Sequence, residues 1–432
     1  MTGGLSLSNG SRAFAHRNYR LFFGGQGVSL VGTWMQAVAQ AWLVIQLTHD
    51  PFMLGLLSAA QFLPVMILGL FGGIVADALP KRQTLIATQI VQMVLAFILF
   101  ALTQAGVVEV WHILVLAILL GVTNAVDMPT RQAFSVEMVG HEDIQNAVAL
   151  NSAMFNGARI VGPAVAGFAI DLFGIPIAFL LNGLSFLAVI VAYAVMREDD
   201  LHSPAHYSRP KTVRAVGETL ADGLRYCWRS PMLLLPIVVI GLVSTFGMNF
   251  GVMIPALADE VLKTDALGFG FLMAASGAGA LAAALLIAFS GRQRPMIIGV
   301  GAVGLGIGLI AAGATTSFAL ALGAMTLVGF GAIGMAATAN TTIQLNVEDG
   351  FRGRVMSVYT TVFAGSTPIG GVFAGSLAST YSVSTSLLVA GVLCVLTGLV
   401  AIAWLSRIRA SGVPSVLPPE SVGASTSGAR LR

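Results

Sequence analysis

The segment Gly157-Ala158-Arg159-Ile160-Val161-Gly162-Pro163-Ala164-Val165-Ala166-Gly167 returns 208 positions later as Gly365-Ser366-Thr367-Pro368-Ile369-Gly370-Gly371-Val372-Phe373-Ala374-Gly375, with three glycines in register. The register extends outward, since Gly121 pairs with Gly329 and Gly183 with Gly391. Five of the seven glycines between residues 121 and 190 thus recur at the same offset. Glycine is 50 of 432 residues, so chance would supply roughly one match in seven. Earlier parts of the two copies align at an offset nearer 213, with Leu54-Gly55 opposite Leu267-Gly268 and Lys81 opposite Arg294. A hydrophobic chain that contains its own half twice points to a transporter built from repeated halves.

Composition places both copies in lipid. The chain is 56% hydrophobic and 9% charged, whereas a soluble domain carries roughly 25% charged residues. Apolar runs of about 20 residues, the length needed to cross a hydrocarbon core, recur along nearly the whole sequence. They divide it into spans at about 18–46, 52–76, 84–106, 112–133, 145–170, 176–196, 233–258, 267–290, 296–314, 318–340, 354–380 and 385–406. The fold expected is an all-α membrane protein of twelve transmembrane helices in two six-helix pseudo-symmetric halves. Its parts are an N-terminal segment (1–17), a first half (18–196), a linker (197–230), a second half (231–407) and a polar tail (408–432). The first 17 residues lack a short apolar region before a cleavage site, so no removable signal peptide is expected. Cys227 and Cys394 fit neither a disulfide framework nor a metal site.

With the N-terminus in the cytoplasm, only Lys263 falls outside and only Arg159 within a span, so 20 of the 22 Lys and Arg lie on the inner side. That asymmetry orients the chain by the positive-inside rule. It predicts a multi-pass protein of the cytoplasmic membrane with both termini inside. The net charge of +3 then reports topology, not nucleic-acid binding. In the linker, Val213, Val216, Leu220, Leu224 and Cys227 recur at spacings of three and four. Such a period is an amphipathic helix, expected to lie along the cytoplasmic membrane surface. The tail is rich in Ser, Gly, Ala and Pro and is expected to be disordered.

Between spans two and three runs Gly72-Gly73-Ile74-Val75-Ala76-Asp77-Ala78-Leu79-Pro80-Lys81-Arg82. This stretch resembles the loop signature of the major facilitator superfamily, with a glycine, an aspartate four residues on and a basic cluster. The resemblance implies a gating latch: Gly73 lets helices approach, and Asp77 faces the positive N-terminal end of helix eleven near residue 354. Asp127 resembles the second acid of that latch, expected to meet Lys81 or Arg82, with Arg131 beside it. The pattern departs at Ala78 and Pro80, and the second half keeps only Gly291-Arg292-Gln293-Arg294. A basic turn without a gating role is the alternative.

Asp127-Met128-Pro129-Thr130-Arg131-Gln132-Ala133, the segment from Asn156 through Arg159, Gly162 and Pro163 to Gly167, and Gly223-Leu224-Arg225-Tyr226-Cys227-Trp228 resemble the branch of the superfamily that contains the enterobactin exporter and related drug-efflux proteins. The Gly162-Pro163 element also resembles the glycine–proline motif of antiporters; close packing and a proline bend are its physical content.

Arg159 sits near the middle of span five, where an arginine costs about 2.5–3.5 kcal/mol on insertion scales. It should face the bundle interior with a partner, and Asp127 is the nearest acid by depth, with Asn156 one turn away. An anion-binding or conformational role and a structural pairing of spans four and five both remain open. Trp34, Gln36 and Gln40 of span one and Thr245, Met248, Asn249 and Phe250 of span seven lie at comparable depth. They are candidates for a cavity suited to a bulky, partly apolar ligand. No acid lies at mid-depth of spans one, four, seven or ten, which leaves the coupling residue open and Asp127 as the remaining candidate for proton handling. Gly329-Phe330-Gly331-Ala332-Ile333-Gly334 mimics a dinucleotide fingerprint inside an apolar span, where its context fails.

The resemblance implies a non-enzymatic secondary active transporter that exports a bulky small molecule, a drug-like compound or a siderophore, by alternating access. It implies a proton gradient as the energy source and no other cofactor or metal. The partners expected are a small-molecule substrate and the lipid bilayer, without nucleic acid or ATP, and the chain is expected to be a monomer. The rivals are a lysophospholipid flippase and a non-transporting membrane sensor of the same fold.

Overall fold

In hydrocarbon every backbone N–H and C=O must be satisfied within the protein, and a helix does this residue by residue. The computed structural model describes residues 11–202, 213–290, 294–348 and 350–410, which are helical almost throughout and contain no strand. The first half comprises α1 (Arg17–Thr48), α2 (Pro51–Ala78), α3 (Lys81–Gln104), the helical run Val110–Phe173 and α6 (Pro176–Ala194). That run of 64 residues bends at Gly140, whose φ of 71° and ψ of 178° are non-helical, and is therefore two spans, α4 (110–139) and α5 (141–173). After the linker helix α7 (Val213–Arg229), span seven is formed by α8 (Pro231–Gly247) and α9 (Phe250–Ala256). The rest are α10 (Ala266–Ser290), α11 (Met296–Gly313), α12 (Phe318–Asn346), α13 (Arg352–Thr380) and α14 (Val383–Ala410). Twelve crossings in two sets of six result.

The structure departs from the expected boundaries in two places. The gap expected between spans four and five is helical apart from Gly140, because the bend is packed. Phe134, Met138, Val139 and Ala147 are buried there with Ala13, Tyr19, Leu85 and Tyr193. Span seven, expected to be continuous, breaks at Met248 and Asn249, whose ψ angles of 26° and 53° leave the helix. Gly247 and Gly251 flank the break, and Pro255 lacks the N–H that would bond back toward Gly251.

The halves meet through glycines. A Cβ on Gly55 of α2 would lie 2.5 Å from the Gly371 carbonyl oxygen of α13, and one on Gly375 would lie 2.7 Å from that of Pro51. Across the molecule, a Cβ on Gly270 of α10 would lie 2.6 Å from the Pro163 carbonyl oxygen of α5, and one on Gly167 would lie 3.1 Å from Leu267 Cα. The offsets of 213 and 208 carry Gly55 onto Gly268 and Gly167 onto Gly375. The repeat therefore builds the same contact twice, around a pseudo-two-fold axis.

These junctions lie toward one face of the membrane. That far face carries the His49 turn and the Lys263 turn; the opposite, basic face carries the start of α1, the end of α14 and helix α7. Trp42 stacks on Phe269 at 5.7 Å and Phe168 meets Phe271 edge-on at 5.7 Å, both toward the far face. His49 approaches Asp259 at 4.0 Å there. On the basic face, Lys81–Glu137 pairs within the first half, Arg82 pairs with Glu198 at the start of the linker, and Asp222 of α7 pairs with Arg354 of the second half. Among the described residues, the glycine and aromatic contacts between the halves run from mid-depth to the far face. The basic-face ion pairs stay within one half or join a half to the linker, which is the contact pattern of a vestibule open toward the basic face.

The linker is anchored at both ends. Asn18 exchanges two hydrogen bonds with the Arg197 backbone, at 2.8 and 3.1 Å. Helix α7, expected along the membrane surface, also packs against the bundle. It docks on the start of α13, where Tyr226 stacks on Phe351 at 4.3 Å and a Cβ on Gly223 would lie 2.6 Å from the Arg354 carbonyl oxygen. Leu224 and Trp228, one turn apart, stay exposed at 52% and 73%, the kind of apolar edge that amphipathic helices turn to an interface. Residues 1–10 and 411–432, which include most of the expected tail, lie outside the described residues.

Candidate functional site

The vestibule wall is clearest along α5. Val161, Val165, Phe168 and Leu172 recur at spacings of four and three and are all exposed, which marks the lipid-facing stripe. Arg159, Ser152 and Val148 share the opposite side at intervals of seven and four. Val148 is 55% exposed and Ser152 is also exposed, so this side borders open space and not the packed bundle. Gly162 seats α5 on α1, where an added Cβ would lie 2.4 Å from Trp34 Cβ. Two turns toward the basic face along α5, the Phe155 ring meets the Trp34 ring edge-on at 5.7 Å.

At the closed end of the vestibule, the Arg159 guanidinium lies over the Phe250 ring, 5.6 Å from its centroid. Phe250 opens α9 just beyond the break in span seven. Asn249 is buried in that break; its amide donates to the Thr245 carbonyl oxygen at 2.7 Å, while its own Oδ1 has no partner among the described residues. Gly370 of α13 closes against the break, since a Cβ there would lie 2.1 Å from the Thr245 carbonyl oxygen. Discontinuous helices near mid-depth expose backbone and amide groups where a transporter binds its cargo. Arg159, Thr245, Asn249 and Phe250 are brought together, with the Trp34–Phe155 pair beside them.

Other expected residues go elsewhere. Gln36 accepts a hydrogen bond from Asn182 at 2.6 Å and is buried against α6, away from the vestibule. Gln40 is buried and contacts Gln61 of α2 at 3.4 Å. Met248 accepts a contact from Ser244 at 3.5 Å. Asn156 donates to the Ser152 carbonyl oxygen at 2.8 Å and does not bond Arg159.

Asp127 meets neither Lys81 nor Arg82, contrary to expectation, and it does not serve Arg159. It is fully buried, and its Oδ1 accepts Thr88 Oγ1 at 2.7 Å and Gln89 Nε2 at 2.9 Å. Arg131, one turn along the same helix, reaches Oδ2 at 3.1 Å as a charge contact. Lys81 instead pairs with Glu137 at 2.7 Å. Arg82 caps α6, donating to the Tyr193 and Ala194 carbonyl oxygens at 2.7 Å each. Gly73 and Asp77 fall in the last turns of α2, where side chains lie outside the described residues.

Sequence reasoning missed Thr88, Gln89, Glu137 and the break itself. The first two were visible as polar residues within the apolar third span, and the break as Gly247, Gly251 and Pro255.

A family model described as transmembrane secretion effector matches residues 10–418. The chain is similar to the uncharacterised major-facilitator-type transporter YfiS of Bacillus subtilis, at 26% identity over 87% of this chain and 90% of that protein. It is 26% identical to the multidrug efflux pump Tap of Mycolicibacterium fortuitum over 88% and 93% of the two chains. It is 21% identical to the staphyloferrin A transporter of Staphylococcus aureus over 86% and 92%. Among solved structures, a bacterial homologue of the human lysosomal transporter Spinster, in an inward-facing and unoccupied conformation, matches with a TM-score of 0.71 at 13% identity, covering 93% of this chain and 99% of that one. A POT family transporter in complex with a thioalcohol-conjugated peptide matches with a TM-score of 0.72 at 11% identity, covering 91% and 96%.

Proposed function

The chain belongs to the transmembrane secretion effector family of major facilitator transporters, and from that premise we propose that it exports a bulky small molecule, drug-like or siderophore-like, across the cytoplasmic membrane by alternating access. The observation that carries this reading is the vestibule between two repeat-related halves, open on one side and ending at a broken helix. The relatives named as a multidrug pump and a siderophore transporter support the substrate classes. The basic face is taken as cytoplasmic by the positive-inside rule, which makes the described conformation inward-open and ready to load. Rocking of the halves about the α2–α13 and α5–α10 glycine junctions then exposes the same pocket outside. A proton gradient is the proposed energy source.

Purified chain in vesicles with an imposed pH gradient should accumulate members of a ligand panel against their concentration gradient, and collapsing the pH gradient should stop it. Saturable binding without flux would leave a sensor and end the export reading.

Orientation has its own test. In intact cells, Lys263→Cys should react with a membrane-impermeant maleimide and Arg407→Cys should not; the opposite pattern inverts the topology. The native cysteines give little background, because both are buried. Burial also pushes the Cys227 thiol up to about 11, so it stays protonated and unreactive at neutral pH.

A further inference from the structure

Arg159 is a cation near mid-depth with its charge unanswered. The acid of span four, Asp127, is committed to Arg131, Thr88 and Gln89. Asn156 is turned back onto its own helix, and among the described residues no ion pair reaches the guanidinium. The ring of Phe250 supplies only the partial compensation of a cation–π contact. A charge held in a membrane protein interior is paired or serves the transport path, and Arg159 faces the vestibule. Five N–H donors in a planar fork, with one aromatic face already fixed, match a planar or tetrahedral anion. The apolar rings of Trp34, Phe155 and Phe250 around it match an apolar body attached to that anion.

We infer that Arg159 is the anion-recognition point of the pocket, and that the cargo is an amphiphile with one acidic head, a carboxylate or phosphate, seated on Arg159 with its apolar part against Phe250 and the Trp34–Phe155 pair. This rests on the export reading for its meaning, although not for its test. An amine head would meet the Arg159 charge with no carboxylate beside it, so cations are excluded from this position.

The test uses dansylaminoundecanoic acid, its methyl ester and a dansylated alkyl diamine as probes, titrated by fluorescence against the purified full chain in uncharged detergent. The acid should bind on the order of tenfold tighter than the ester, the scale of one charge-assisted hydrogen bond, and the amine more weakly than either. Arg159→Gln should bring acid and ester to equal affinity, and Arg159→Lys, which keeps the charge and loses the fork, should retain part of the preference. A purely structural arginine would lower thermal stability without changing the acid-to-ester ratio. Equal wild-type affinities, absence of saturable binding by either probe, or a preference that survives Arg159→Gln would overturn the inference. If Arg159→Gln does not fold, the wild-type ratio and Arg159→Lys decide. Flux in vesicles is scored separately: acid-selective binding with no flux keeps the anion site and removes the export reading.

Discussion

Gly270→Leu should lower transport at least tenfold while the protein still inserts and folds. The Cβ would lie 2.6 Å from the Pro163 carbonyl oxygen and 3.1 Å from Gly167 Cα, both backbone atoms of the opposite half. No side chain can swing aside, so the halves themselves must part on the far face. Overpacking costs about 1–3 kcal/mol, which is the size of the gap between conformers of a two-state protein. A leucine against fixed backbone takes the upper part of that range, so the population should leave the described conformation by about a factor of ten or more. Gly55→Leu should act alike, because it meets the Gly371 carbonyl oxygen at 2.5 Å in the symmetry-related junction. Gly323→Leu, with open space around it, is the control. Spin labels at positions 49 and 263, on far-face turns of different halves, would report the parting directly. Unchanged flux and label distances in Gly270→Leu would show that these junctions are not where the halves close.

Arg131→Ala should destabilise the chain by about 3 kcal/mol, the low end for breaking a buried pair. Arg131 keeps 25% of its side chain exposed while the Asp127 carboxylate is almost fully buried, so the stranded group is the acid. Asp127→Asn should cost less, because Oδ1 can still accept from Thr88 and Gln89 and the freed guanidinium can turn toward water. The double variant should recover most of the loss seen in Arg131→Ala alone. Thermal midpoints of the four proteins in one detergent close the cycle. Additive losses would mean that the two side chains do not act on each other.

The repeat in glycine positions specified the architecture, because close helix approach demands glycine at the same depth in both halves. The twelve spans followed from length and hydropathy. Which way a side chain points around its helix was less legible. Gln36 and Trp34 lie at similar depth, yet the former turns to Asn182 of α6 and the latter to Phe155 of α5. The latch resemblance set Asp127 against Lys81 or Arg82 and depth set it against Arg159, although the spacing of four to Arg131 was present in the chain and is the shorter route. The break in span seven escaped because a single polar residue, Asn249, leaves the apolar run around it intact; only backbone chemistry at Gly247, Gly251 and Pro255 distinguished it.

The anchoring of the linker bears on how far the carrier can travel. One end is fastened to the first half by Asn18 and Arg82, the other to the second half by Phe351 and Arg354. From His202 to Val213 there are eleven residue steps, a leash of at most about 40 Å when fully drawn. The halves can then part on the basic face no further than that count of residues allows, and deleting residues from it would lower the limit without touching Arg159 or the break in span seven.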